Sequence, residues 1–460
     1  MSATMSANPV PAPSWTARLS GFVRPGGMGR SMAHVGGATA LAQVIGLAVL
    51  PLVSRHLGPV AFGQFGLFFT LATTMAAAGP LGLPEAMLAA RRWSEALALL
   101  GAALRAVFLM GLVCAGLTYV CLRYDLFGTA SLPDWVWPAM APVVWLISLA
   151  MVFQIWLVRR RRFTALAGAY VSQGLLRGGS QVGGAVAAPG LGWLVLLGSE
   201  LLGRASTVLV MAAPARREIL TACRIDRRRW TAAVRRYWRF PAFRTPSMLA
   251  NNLAAGLPLF LLASAFGAHD VGDFAFMMGI VVGPIGFMQR AVGDVFLGEF
   301  AARRRRSAAE ARSLLVRTAG ALLGLALPAT LVLGAFGPLL FATVFGHAWR
   351  GAGVLAAAYA PAFLANLVVA PLGGVLNVAN RPGYKLMVDL AGIAALLAAF
   401  ALARGAGLDA ARTTLAFAVA SVGAYALYFI LVMRAAGAVG NVPAPAAVVV
   451  PRPPAGDPPA

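Results

Sequence analysis

Apolar stretches of about 20 residues recur along the chain, each closed by a short polar or basic cluster. That is the length a helix needs to cross the hydrocarbon core of a bilayer. The pattern predicts spans near 32–53, 62–82, 97–122, 135–158, 165–187, 191–213, 246–266, 271–297, 313–335, 352–379, 384–403 and 413–435. The stretch Ala188–Gly190 is so short that the fifth and sixth spans could instead be one broken helix. Strand-like alternation is absent and the runs are too long for barrel strands, so helices are the remaining way to satisfy the backbone inside lipid. The expected fold class is an all-α membrane protein of about twelve transmembrane helices in two six-helix lobes related by a pseudo-twofold.

Basic residues sharpen the picture, because they gather on the cytoplasmic side of membrane proteins. They cluster in every second connection: Arg91 and Arg92, Arg159 to Arg162, ten arginines in 214–245, five in 298–312, then Arg381 and Lys385. The alternation predicts an even number of spans with both termini cytoplasmic. The longest interruption, 214–245, reads as a basic inter-lobe loop dividing 32–213 from 246–435, with a cytoplasmic tail at 1–31. A proline-rich stretch at 436–460 is expected to be a disordered tail. The two halves carry a faint repeat. Leu50, Pro51 and Leu52 precede a GxxxxGxF motif at Gly58, Gly63 and Phe65; Leu257, Pro258 and Leu259 precede the same motif at Gly267, Gly272 and Phe274. Gln43 and Asn251 add a matching polar position. Duplicated halves around a central site are a transporter architecture.

Composition excludes a soluble domain. Charged residues are 12% and hydrophobic ones 60% of 460 positions, with a net charge of +23, against the roughly 25% charged residues of soluble proteins. That charge speaks of membrane orientation rather than of nucleic acid. No secretory signal is evident, since Pro9, Pro11, Pro13 and Pro25 interrupt the first 30 residues. Cys114 and Cys121 stand about 10.5 Å apart along one helix, too far to form a disulfide. No GxSxG, HExxH, Walker loop or paired-cysteine metal spacing is present, and His34, His56, His269 and His347 are scattered. The sequence therefore implies no enzyme, no cofactor and no metal.

The chemistry lies in charges within spans, which are costly unless paired or hydrated. Arg177 is the deepest, about fifteen residues from the Arg162 end, with no acid three or four residues away among Gln173, Gly174, Ser180 and Gln181. It is expected to face a wet cavity or an anionic ligand, or else a partner on a neighbouring helix. Glu200 and Arg204 are spaced to pair on one helix face; Arg290 and Asp294 repeat the spacing. Arg105 lies about two turns inside its span, and Arg317 only one, within snorkelling reach. The excess of interior cations favours an anionic cargo, phosphate or diphosphate, which guanidinium grips with parallel hydrogen bonds. Gln43, Asn251 and Asn252 could contact sugar hydroxyls or equally bridge helices. Glu200 and Asp294 are the acids available for ion coupling.

Several stretches resemble the bacterial polysaccharide-export flippases, the O-antigen and exopolysaccharide (Wzx-type) family of the MATE-like MOP superfamily. They are ATALAQVIGLAVLPLVSRHLGPVAFGQF at 38–65, PEAMLAARRWSEAL at 84–97, YWRFPAFRTPSMLANNLAAGLPLFLLASAFGAHDVGDFAF at 237–276, PLLFATVFGHAWRGAG at 338–353 and APLGGVLNVANRP at 370–382. The resemblance implies alternating access around a cationic cavity in the bacterial inner membrane. The implied cargo is an undecaprenyl-diphosphate-linked oligosaccharide, with a polysaccharide polymerase and glycosyltransferases as functional partners. One departure is that Leu83 and Pro84 precede Glu85 where an Arg-Tyr pair is frequent. Three rivals are weighed. An ion-coupled exporter of small cations would want unpaired acids in the first or seventh span, which hold none. A membrane glycosyltransferase or polymerase would want more than Asp125, Asp134 and His347 in its outer loops. A scaffold of an assembly complex would not need interior arginines.

Overall fold

The computed structural model describes residues 28–304, 306–379 and 382–437. Among the described residues the secondary structure is helical throughout, and twelve long helices account for the twelve expected spans. They are α1 (Met28–His56), α2 (Pro59–Ala76), α4 (Trp93–Arg123), α5 (Val136–Arg159), α6 (Phe163–Ala187) and α7 (Trp193–Ala212) in the first half. The second half has α10 (Thr245–Ala263), α11 (Ala268–Arg304), α12 (Ala308–Phe345), α13 (Arg350–Val369), α15 (Pro382–Gly405) and α16 (Ala410–Gly437). Short helices α3 (Leu83–Ala89), α8 (Arg216–Cys223), α9 (Arg227–Arg236) and α14 (Val375–Val378) lie between them. Asp294 sits in α11, but its side chain lies outside the described residues, as do residues 1–27 of the tail expected at 1–31 and most of the tail expected at 436–460; residues 28–31 already belong to α1.

Eleven of the long helices are long and apolar enough to cross a membrane; α6 is not among these candidates. Its sequence explains this, since Gln173, Arg177, Ser180 and Gln181 share it with six glycines. Polar side chains within a span face protein or water rather than acyl chains, and the same helix leaves Leu175, Leu176 and Val186 exposed on its outside.

Spans five and six are two helices. The chain turns through Pro189–Leu191 and Gly192, whose positive φ of 55° suits glycine, and α7 packs back on α6. Here a β-carbon at Gly203 would stand 2.8 Å from the Arg177 β-carbon. The second expected span is shorter than its apolar run. After Ala76, Leu81 and Gly82 adopt left-handed φ values of 50° and 62°, and α3 restarts at Leu83. The tenth is likewise broken at Pro371, Gly373 and Gly374, leaving α14 as a separate piece. The 214–245 segment is not an open loop. Helices α8 and α9 are pinned to α4, where Arg236 Nη1 meets Glu95 Oε1 at 3.1 Å and the Tyr237 hydroxyl donates to Glu95 Oε2 at 3.1 Å. Burial and that bond to Glu95 push the Tyr237 hydroxyl above its ordinary pKa, so it stays a donor.

The repeat motifs meet one another. Helices α2 and α11 cross where Gly63 and Gly272 face each other. A β-carbon on Gly63 would strike the Ala268 carbonyl, and one on Gly272 would strike the Pro59 carbonyl. Pro59 and Ala268 are themselves equivalent positions of the repeat, so the contact is reciprocal, as an axis of twofold pseudosymmetry requires. One step further in, a β-carbon at Gly66 would lie 2.5 Å from the Ala275 β-carbon.

The same end of the bundle, the arginine-poor one, is closed by further contacts between the halves. Trp349 is fully buried and donates Nε1 to the Ser54 carbonyl at 2.8 Å. Its ring stacks on Phe276 with centroids 3.8 Å apart and meets Phe62 edge-on at 5.0 Å. Ser54 Oγ donates to the Phe345 carbonyl at 3.1 Å, and Arg55 Nη2 reaches the Thr343 and Val344 carbonyls at 3.4 Å. At the arginine-rich end a contact runs from α3 to the segment entering α10, through Arg244 Nε and Glu85 Oε1 at 3.1 Å.

Candidate functional site

Between the halves, inward of the Phe62–Phe276–Trp349 plug, lies a cavity of about 530 Å³, within the range of small-molecule sites. Both halves line it: Gln43 and Leu50 of α1, Phe65, Phe69, Thr70 and Thr73 of α2, Arg177 and Gln181 of α6, Glu200 of α7, Gly256 and Leu259 of α10, and Phe274, Ala275, Phe276, Met278 and Gly279 of α11. A second cavity of about 200 Å³ adjoins it between α1 and α6, lined by Thr39, Gln43, Gly46, Tyr170, Gln173 and Arg177. Arg177, Gln43, Leu50 and Gly279 belong to both.

Glycines let the helices come this close to a guanidinium. A β-carbon on Gly174 would lie 2.9 Å from the Ala42 α-carbon, so α1 and α6 touch backbone to backbone. Gly46 presents no side chain where Arg177 Nη2 lies, 3.7 Å from the position a β-carbon would take. On α11, Gly283 leaves the space that the Gln43 amide nitrogen fills.

Arg177 is not without an acid. Its Nη1 lies 3.4 Å from Glu200 Oε2, and Arg204 Nε holds Glu200 Oε1 at 2.6 Å. Spacing along one helix shows only same-helix partners; Glu200 reaches Arg177 from the next helix, which no count along α6 discloses. The three groups form an Arg–Glu–Arg cluster with one surplus positive charge. Side-chain exposure is 39% for Arg177, 19% for Arg204 and 4% for Glu200; Arg177 and Glu200 both line the cavity, and Arg177 is the more exposed of the two. Arg204 lies over the Phe69 ring, 5.2 Å from its centroid, and Phe69 in turn stacks on Phe65 at 5.4 Å. The cavity thus offers a cation, an aromatic wall and the amides and hydroxyls of Gln43, Gln181, Thr70 and Thr73.

The other candidates separate. Arg290 is exposed on α11, close enough to Tyr170 of the first half for their electrostatics to couple. Arg105 stands away from the cavity lining: it donates to the carbonyls of Gly101 at 2.9 Å and Cys223 at 2.7 Å and lies over the Trp230 ring at 5.7 Å. It fastens α8 and α9 to α4. Asn252 donates back to the Met248 carbonyl of its own helix at 2.9 Å, and Asn251 is exposed one turn from the cavity residue Ala255. At the start of α11, His269, Asp270 and Asp273 come together, yet buried Asp273 takes the Ala352 backbone N–H, a capping role at the start of α13. Gln173 and Gln181 were open to discovery from sequence, because with Arg177 they form a polar stripe at four-residue spacing, one face of a helix. Phe65, Phe69 and Tyr170 gave no such signal in a chain rich in apolar residues.

Six helices face six around a shared cavity, a fold that solved structures of MOP-superfamily transporters share. The chain is similar to the lipid II flippase MurJ in its inward closed conformation, with a TM-score of 0.68 at 11% identity over 86% of this chain and 87% of that one. It is similar to an inward-facing multidrug resistance MATE family transporter of the MOP superfamily, with a TM-score of 0.65 at 15% identity over 86% and 94%. A MOP superfamily transporter from Pyrococcus furiosus gives 0.56 at 12% identity over 88% and 95%. No curated protein matches the sequence. The family described as polysaccharide biosynthesis protein matches residues 52–353, about two thirds of the chain, and the protein belongs to that family.

Proposed function

We propose that the protein is a flippase that carries an undecaprenyl-diphosphate-linked oligosaccharide from the cytoplasmic to the periplasmic leaflet of a bacterial inner membrane, by alternating access. The observation that carries the reading is Arg177, held at 39% exposure in a cavity lined by both halves in a chain of the polysaccharide biosynthesis family. A guanidinium in a site of low dielectric attracts phosphate far more strongly than it would in water. The aromatic wall and the amides beside it suit the faces and hydroxyls of sugars. The arginine-rich end is then the cytoplasmic one, with both termini there, and 32–213 and 246–435 are the moving lobes, joined by 214–245. The plug at Trp349 closes the periplasmic side. Arg290, beside Tyr170, is a second cation on the cytoplasmic side of Arg177. Small cationic compounds are disfavoured as cargo, because the buried acid at the cavity, Glu200, is already held by two arginines.

The test is polymer export in cells that depend on this protein. Arg177→Ala abolishes export while the protein remains inserted and monodisperse; export at the normal level would refute the assignment.

A further inference from the structure

We propose that Glu200 is a resident anion that competes with the transported phosphate for Arg177 and thereby keeps the site able to let its cargo go. The inference rests on the reading of Arg177 as the phosphate contact and adds what governs release.

The geometry of the cluster is unequal. Glu200 and Arg204 lie one turn apart on α7, and their bond is short, at 2.6 Å. The bond from Glu200 to Arg177 crosses to α6 and is longer, at 3.4 Å. One carboxylate oxygen is firmly committed to Arg204, while the other tethers a single nitrogen of Arg177. Arg177 Nη2 points elsewhere, toward Gly46 and the smaller cavity. It therefore has one tethered donor and others free to receive a ligand.

A buried carboxylate between two arginines is not explained by stability alone, since ion pairs of this kind can be replaced by apolar side chains at no cost or with a gain. Its electrostatic effect is definite. Without Glu200, Arg177 would face the cavity uncompensated, with a second unpaired guanidinium, Arg204, behind it, and a diphosphate would be held tightly and slowly released. A carrier needs a site favourable enough to fill and weak enough to empty. Glu200 halves the surplus charge, and when the cargo leaves it takes back Arg177, so no lone cation is left in a poorly solvated place.

A purely positioning role for Glu200 predicts the opposite sign. Glu200→Gln keeps the size of the side chain and an oxygen for Arg204 but removes the charge. If Glu200 only aims Arg177, this variant binds cargo more weakly. If Glu200 competes, it binds more tightly.

The experiment uses the full chain in lipid nanodiscs and, as probe, undecaprenyl diphosphate without sugar, with flipping of the same lipid followed in proteoliposomes. Glu200→Gln is expected to bind about tenfold more tightly, with slower dissociation and a flipping rate several-fold below that of the original protein. Glu200→Asp, whose shorter arm keeps Arg204 and draws back from Arg177, is expected to bind about threefold more tightly and supplies the same sign if the glutamine variant fails to insert. Unchanged or weaker binding in an inserted variant overturns the proposal. If the original protein does not bind the probe, or Arg177→Ala binds it equally well, the reading of Arg177 itself falls and this inference falls with it.

Discussion

The Trp349 plug makes a quantitative prediction about which end of the protein opens. Trp349 and Phe276 both belong to the second half, so their stacking at 3.8 Å survives when the halves separate. What Trp349 itself loses on opening is the hydrogen bond from Nε1 to the Ser54 carbonyl, 2.8 Å, and the edge contact with Phe62, 5.0 Å. A net hydrogen bond contributes about 1 kcal/mol and an aromatic pair about another. Trp349→Phe removes the first and keeps a ring against Phe62, so it should favour the open arrangement by about 1 kcal/mol, about fivefold in population. Trp349→Ala removes both, about 2 kcal/mol or about thirtyfold. Spin labels at Tyr124 and Leu402, exposed residues of opposite halves near this end, would report the change by pulsed electron resonance. A longer distance should grow in the order original protein, Trp349→Phe, Trp349→Ala. If Trp349→Ala remains folded and its distance distribution is that of the original protein, the plug is not a gate and the reasoning is wrong.

Two further outcomes follow from the packing. Gly272→Val would drive a side chain into the Pro59 carbonyl, an overpacking that costs about 1–3 kcal/mol; the melting temperature in detergent should fall, and an unchanged value would mean that α2 and α11 do not cross as described. Arg105→Ala should lower thermal stability by removing bonds to Gly101 and Cys223 while leaving the flipping rate per folded molecule near normal. Loss of flipping at unchanged stability would return Arg105 to the cargo path.

Much of this protein is legible before any coordinates. The hydrophobic period and the length of the apolar runs determine the twelve long helices, because lipid tolerates no unsatisfied backbone. The arginine alternation orders their ends. The GxxxxGxF repeat marks Gly63 and Gly272, where no other residue permits so close a crossing of α2 and α11. The polar stripe of α6 likewise marks the face of that helix that does not meet lipid, while Leu175, Leu176 and Val186 are exposed elsewhere on it.

What sequence leaves open is which side chains from different helices share a space. Arg177 lacks an acid on α6, yet Glu200 meets it from α7; Arg105 has the same bare surroundings in sequence, yet it fastens a surface helix and lines no cavity. Spacing along a chain carries information only over the few residues that one helix brings together. The distances between helices are decided by packing at Gly174, Gly203 and Gly283, where missing side chains set how near the neighbours come. Tertiary structure alone therefore separated the arginine exposed to a cavity from the arginine bound to backbone, because a guanidinium's surroundings are a property of the space between helices.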